Sequence, residues 1–164
     1  MPTKEEKIAI IIYFFKFKNI DDATIRLNEV VILRNQKGKQ KKDVSLELRK
    51  HPEIIIDLVY DKILTKKGNF IFKWMYRPPL CYSANFSILL MEIGKSFNHS
   101  CKVINCYPNY LNGGEHQVVQ DLTSKVFRDA FIYNSKYNLL TGKWEPTPPE
   151  FMINVPLNQI NPVK

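Results

Sequence analysis

The sequence predicts an α/β fold: a single domain with a four- to five-stranded, largely parallel or mixed sheet, flanking helices and an extended C-terminal arm. The chain has 164 residues, 45% of them hydrophobic, which suits one domain with a real core. Over residues 1–144, patterns typical of strands and of helices alternate, as expected when helices cover a sheet. Residues 145–164 hold five prolines and show no helical or turn periodicity, so we treat them as an arm.

The N-terminal segment allows two interpretations. Residues 7–18 are apolar on every face, so hydrophobic periodicity cannot assign them. Thr3 and Glu6 have the spacing of a capping box and favour a helix, whereas the Ile, Tyr and Phe content favours a buried strand. We prefer the strand. Residues 23–38 then follow an acidic N-cap at helical spacing, with a strand over 23–33 as the alternative.

The middle of the chain predicts two strands and two helices. Alternating apolar residues indicate a half-buried strand over 43–50, and residues 69–76 form the clearest strand pattern in the sequence. Pro52 suits the first turn of a helix, and Ser83 suits the N-cap of a helix over 84–97. The expected core positions of these two helices are Ile55, Leu58, Val59 and Ile63 in the first, and Phe86, Leu89, Leu90 and Ile93 in the second.

Beyond residue 100 the sequence predicts a short strand over 101–107, a glycine-ended loop over 108–114 and a long helix over 115–133. The helix is predicted because apolar residues recur there at helical spacing. A further short strand is expected near 139–144. The stripe that predicts the long helix consists of Val118, Val119, Leu122, Val126 and Phe127.

No nucleotide-binding or nucleophile-elbow motif is present, and no run of residues identifies a family. His99, Cys101, Cys106 and His116 are residue types that zinc prefers, but their spacing matches no common finger. The two cysteines would also point to opposite faces of the predicted strand. We therefore predict no metal and no cofactor, with the cysteines in the core.

An enzyme is the alternative reading, either a metal-dependent nuclease or a thiol enzyme of viral or phage origin. Cys81 precedes a predicted helix, where the helix dipole lowers a thiol pKa. No motif ties a particular histidine or acid to that thiol, so we assign no catalytic residue. The acids available to a nuclease are Asp57, Asp61, Glu92, Glu115, Asp121 and Asp129.

The basic surface provides the main functional signal. The formal net charge is +8, from 24 Lys and Arg against 16 Asp and Glu. Nineteen of those cations are Lys and five are Arg, a bias that an A/T-rich genome also produces, so a merely solvated lysine surface remains the alternative. The residues predicted to contact nucleic-acid phosphates are Arg34, Lys37, Lys39, Lys41, Lys42, Lys66 and Lys67.

These patterns predict a non-catalytic, basic component of a large ribonucleoprotein of the ribosomal type. The lysine loop over 34–42 would contact RNA, and the arm over 145–164 would contact neighbouring subunits. A protein–protein adaptor that binds through its arm is a further alternative. Three cysteines, no apolar run of about 20 residues and no signal peptide predict an intracellular, reducing compartment without a membrane span, with the mitochondrial matrix as one candidate.

Overall fold

A computed structural model describes residues 1–36, 48, 50–65, 83–110, 115–132, 136–138, 140–145 and 147–163. These residues form one mixed α/β domain of five α-helices, a three-stranded sheet and a separate two-stranded hairpin. The helices are α1 (Lys4–Phe15), α2 (Ile20–Gln36), α3 (Ile54–Thr65), α4 (Ser83–Ser96) and α5 (Pro149–Ile153). The strands are β1 (Cys101–Cys106), β2 (His116–Asp121), β3 (Val126–Arg128), β4 (Lys136–Asn138) and β5 (Lys143–Glu145), and a 3-10 turn covers Leu157–Gln159.

The predicted four- to five-stranded, largely parallel or mixed sheet is wrong. The main sheet of the described residues has three strands in the order β1-β2-β3, and both neighbouring pairs are antiparallel. The four residues between β2 and β3 make a tight turn, which can join only antiparallel strands, because a parallel pair needs a crossover of a dozen or more residues.

The strand preferred for residues 7–18 is also wrong, because Lys4–Phe15 is helix α1. The capping box that favoured a helix is formed: Thr3 Oγ1 accepts the Glu6 amide at 3.1 Å, and Glu6 Oε1 accepts the Thr3 amide at 3.3 Å. Ile8, Ile11 and Phe15 are buried at helical spacing. The cap provides hydrogen-bond acceptors for amides at the start of the helix, which have no partner within the helix itself. It therefore favours the helix over the strand, although the apolar run is compatible with both.

Three other predicted helices are confirmed as α2, α3 and α4. The inward positions of α4 (Phe86, Leu89, Leu90 and Ile93) are all buried, as are Ile55 and Val59 of α3. The strand predicted over 101–107 is confirmed as β1. The strand predicted over 69–76 lies outside the described residues, as does most of the one predicted over 43–50.

The long helix predicted over 115–133 is wrong, since that segment forms the β2–β3 hairpin. The adjacent residues Val118 and Val119 are both fully buried, because β2 is covered on both faces. A strand covered on both faces loses the alternation that would have revealed it, and the helical spacing was accidental. Leu122, expected in the helical stripe, instead lies in the turn with 48% of its surface exposed. The strand expected near 139–144 is wrong over most of its length, because residues 140–142 form a turn and only the last two positions fall in β5, which pairs with β4.

Residues 147–163 begin with helix α5 rather than a fully extended arm, and they pack against the sheet of the same chain. At the outer edge of β3, the Asp129 amide donates to the Met152 carbonyl at 2.9 Å. The Val155 amide donates to the Phe127 carbonyl at 2.8 Å. The tail therefore begins by pairing with the free edge of the third strand.

The same tail ends on the opposite edge of the sheet. The Tyr107 amide donates to the Asn161 carbonyl at 2.8 Å, and the Val163 amide donates to the Asn105 carbonyl at 3.0 Å. These bonds lie on either side of an antiparallel bridge between Cys106, at the end of β1, and Pro162 of the tail. The tail thus crosses one face of the sheet and forms hydrogen bonds along both of its edges.

The sheet consequently separates two hydrophobic clusters. The larger cluster joins α1–α4 to one face of the sheet, and the smaller cluster lies beneath the tail on the other face. Buried members of the smaller cluster are Cys106, Val118, Val155 and Ile160. Among the described residues, no helix has the length and apolar character needed to cross a membrane.

Candidate functional site

Six of the seven cations predicted to contact phosphates lie outside the described residues: Lys37, Lys39, Lys41, Lys42, Lys66 and Lys67. The seventh, Arg34, belongs to the last turns of α2. The seven cations lie in two stretches of sequence: the first, 34–42, begins in the last turns of α2, which ends at Gln36, and the second, 66–67, comes directly after α3, which ends at Thr65. Helix C-termini carry partial negative charge, so cations are favourably placed directly after them.

The structure does not bring the His/Cys group together as one site. Cys101 and Cys106 are buried in different hydrophobic clusters on opposite faces of the sheet. His99 and His116 lie against different carboxylates instead of against the thiols. Within the described residues, no group of three or more His, Cys, Asp or Glu side chains could hold a metal ion.

The two buried thiols are poor nucleophiles at neutral pH. Burial raises the pKa of Cys101 to about 11, with a further contribution from the charge of Asp121. Burial raises the pKa of Cys106 to about 11 as well, and the charge of Asp129 adds to the shift. Because the thiolate is the reactive form, these two cysteines do not supply an activated nucleophile. Cys81 lies outside the described residues.

One network of charged side chains is centred on the buried carboxylate of Asp121. Its Oδ2 lies 2.8 Å from His99 Nδ1 and 3.0 Å from Nη2 of Arg128. The Arg128 guanidinium also forms an ion pair with Asp21, in the first turn of α2. Both Asp121 and Arg128 are buried, whereas Asp21 is half-exposed. This chain of charges ties the β2–β3 hairpin to the helical layer.

Several groups that favour the ionised form of Asp121 set its pKa. Burial of the carboxylate raises the pKa, but the amide of Ser124, the His99 side chain and the Arg128 guanidinium lower it by more. The net pKa is lowered, so Asp121 is ionised at neutral pH. Its Oδ1 accepts the amides of Thr123 and Ser124, both at 3.0 Å, which closes an Asx-type turn between β2 and β3.

His99, Asp121 and Ser124 do not have the geometry of a catalytic triad. In a triad the acid binds one ring nitrogen of the histidine and the hydroxyl binds the other. Here the Ser124 hydroxyl lies 3.4 Å from His99 Nδ1, the same nitrogen that contacts Asp121 at 2.8 Å. The imidazole therefore cannot relay a proton from this serine to this carboxylate.

A second buried carboxylate, Asp129, organises the opposite end of β2. Its Oδ2 accepts the Tyr110 hydroxyl at 2.7 Å and lies 2.8 Å from His116 Nε2. Its Oδ1 accepts the Phe131 amide at 2.8 Å. Burial raises the pKa of Tyr110, and the adjacent negative charge raises it further, so the phenol stays a donor. The side chain of Asn28, in α2, also binds this part of the chain: its Nδ2 donates to the Asp129 carbonyl, and its Oδ1 accepts the Ile132 amide.

The acids considered for a nuclease are dispersed. Asp57 pairs with Lys7 at 2.8 Å on the helical layer. Glu92 is buried between Lys4 at 3.3 Å and Lys95 at 3.4 Å. Asp121 and Asp129 occupy separate networks at the two ends of β2.

Sequence reasoning missed both carboxylate networks because it assigned their residues to a helix. One signal could have revealed the hairpin: an aspartate followed at the second and third positions by Thr123 and Ser124 is typical of an Asx turn. No family model, curated protein or solved structure matches the chain.

Proposed function

We propose that this protein is an RNA-binding component of a ribonucleoprotein assembly and that it contacts phosphates through two basic segments, 34–42 and 66–77. The distribution of charge along the chain carries this proposal. The two segments together contain nine Lys and Arg residues and no Asp or Glu. The rest of the chain contains 15 cations and 16 acids, so it is nearly neutral.

This concentration argues against codon bias as the source of the positive charge. A mutational preference for lysine codons acts along the whole chain and would leave an excess of cations throughout. Here the excess is confined to two short segments, each beginning at or near the end of a helix. Phosphate contacts require a cluster of cations and no fixed spacing between them.

Several acids of the described residues are paired with cations of the same chain, which supports the same proposal. Asp57 binds Lys7, and the buried Glu92 lies between two lysines. Asp121 and Arg128 neutralise each other inside the domain. Because the rest of the chain is nearly neutral, the two basic segments hold the main concentration of positive charge in the sequence.

The packing of the tail favours RNA binding over the adaptor alternative. That alternative depended on apolar residues of the arm being available to a partner. Met152, Val155 and Ile160 are instead buried against the sheet of the same chain. The arm therefore has an intramolecular role that accounts for most of its apolar character.

The test is an equilibrium binding measurement with an unstructured oligoribonucleotide. The variant carries Lys37→Gln, Lys39→Gln, Lys41→Gln and Lys42→Gln. A matched control removes four positive charges elsewhere in the chain and carries Lys50→Gln, Lys62→Gln, Lys102→Gln and Lys125→Gln. We expect the first variant to bind at least about tenfold more weakly than the wild type near 0.1 M salt, because each lost phosphate contact removes released counterions.

The control variant should retain most of the affinity, since the proposal assigns binding to the location of the charge and not to its total. Equal losses in the two variants would mean that net charge alone attracts RNA. Failure of the wild type to bind RNA at low salt would refute the proposal outright.

A further inference from the structure

We infer that the corner between α1 and α2 is a second RNA contact, where Tyr13 stacks on an unpaired base and Lys16 and Lys18 bind the neighbouring phosphates. This inference rests on the proposed function and extends it to a site made of described residues. The ligand class is single-stranded RNA, because only an unpaired base offers a free face to an aromatic ring.

Tyr13 is exposed to an unusual degree for an aromatic residue within a helix. Its exposure is 84%, whereas Phe15 and Phe17 nearby are 6% exposed. Phe14, the next residue, is half-buried and packs edge-on against Phe15. The Tyr13 side chain thus projects from an otherwise packed aromatic group and leaves its ring open to stacking.

The corner holds both lysines outward in a fixed backbone conformation. Lys16 ends α1 in the left-handed region, with φ of 56°, and its amide donates to the Tyr13 carbonyl at 3.3 Å. Phe17 is buried and stacks on Phe15 with ring centroids 5.4 Å apart. Because Phe17 points inward, Lys16 and Lys18 on either side of it are exposed.

The acids of the corner are already engaged, so they do not neutralise the two lysines. Asp22 accepts the Lys18 amide at 2.9 Å and lies 3.8 Å from the Arg26 guanidinium. Asp21 binds Arg128 of the sheet. The exposed side chains of the corner include one aromatic ring and two ammonium groups, which is the combination found in grooves that bind single strands without sequence preference.

This corner is distinct from the basic segment 34–42. The two lie at opposite ends of α2, whose 17 residues span about 25 Å at 1.5 Å per residue. The corner and the segment can therefore be removed independently, and their effects on RNA affinity can be separated.

The test measures the binding of oligouridine to the full chain with three substitutions at one position. Tyr13→Phe keeps the aromatic ring and should bind within about twofold of the wild type. Tyr13→Leu and Tyr13→Ala remove the ring and should bind roughly fivefold or more weakly, with an unchanged salt dependence. Because Tyr13 is so exposed, none of these changes opens a cavity, and an unchanged thermal midpoint checks the fold.

Lys16→Gln with Lys18→Gln should lower the slope of log affinity against log salt by about 1.4.

A second readout locates the contact directly. Irradiation of a complex with 5-iodouridine RNA should crosslink Tyr13, as identified by mass spectrometry of the cross-linked peptide. If the wild type binds RNA but Tyr13→Leu binds equally well, the inference is wrong and the proposed function stands. If the wild type binds no RNA, both are wrong.

Discussion

Arg128 and Asp121 form a buried ion pair across the β2–β3 hairpin, with guanidinium Nη2 3.0 Å from carboxylate Oδ2 and the two side chains 3% and 0% exposed. The pair does not stand alone, because the same carboxylate contacts His99 and the same guanidinium reaches Asp21. The hairpin, the turn before β1 and the start of α2 are therefore held together through one arginine.

Replacing that arginine should strongly destabilise the domain. Arg128→Met removes the cation and leaves Asp121 buried without its main counter-charge, which typically costs about 3–5 kcal/mol. Urea denaturation measures the loss in the free energy of unfolding. Lys125→Met, an exposed residue of the same hairpin, is the control and should change that free energy by less than about 0.5 kcal/mol. A loss below about 1 kcal/mol for Arg128→Met would show that the pair contributes little.

The same network makes the free energy of unfolding depend on pH in the acidic range. The pKa of Asp121 in the folded chain lies below its ordinary value of 3.8, so the folded state binds this proton less readily than the unfolded state does. The resulting stabilisation is fully present above the unfolded pKa and is lost as the pH falls through the folded pKa. Asp121→Asn should therefore show a smaller loss of unfolding free energy between neutral pH and pH 3 than the wild type. Identical pH profiles would contradict the assignment.

The two described cysteines should resist alkylation until the protein unfolds. With the pKa of Cys101 and Cys106 raised from 9.0 to about 11, the thiolate fraction at neutral pH is about 100-fold below that of a free cysteine. Peptide-resolved mass spectrometry after iodoacetamide treatment should find both thiols unmodified in buffer and modified in urea. Rapid labelling of either thiol in the native protein would mean that the tail or α4 does not cover it.

Ile160 should be a structural anchor of the tail. It is 7% exposed and belongs to the cluster beneath the tail, so Ile160→Ala should cost about 2–4 kcal/mol of unfolding free energy. Leu157→Ala is a close control, because Leu157 lies three residues away in the same tail but is 73% exposed. Equal effects of the two substitutions on thermal unfolding would indicate that the tail is not held against the sheet in solution.

The helices of this fold could be predicted from the sequence wherever one face alone is apolar. The stripe of α4, with Phe86, Leu89 and Ile93, faces the core as its spacing predicts. In α1 the apolar residues surround the helix, so periodicity fails, and only the Thr3–Glu6 cap carries the correct information. The helix cap therefore outweighs the β propensity of the Ile, Tyr and Phe residues in this segment.

The β2–β3 hairpin was missed because the tail covers the face of the sheet that helix α4 does not. Neighbouring Val118 and Val119 can both be buried only when each face has its own cover. That cover comes from Val155 and Ile160, more than thirty residues further along the chain. Such a long-range contact leaves no local pattern, and the same error concealed the networks around Asp121 and Asp129.

The salt dependence of RNA binding tests the central claim most directly. Affinity for an unstructured oligoribonucleotide is measured between about 50 and 200 mM salt for the wild type and for the variant with Gln at positions 37, 39, 41 and 42. If the four lysines contact phosphates, the slope of log affinity against log salt should be shallower in the variant by about 3, at about 0.7 per contact. Equal slopes for the two proteins would contradict the assignment of RNA binding to this segment.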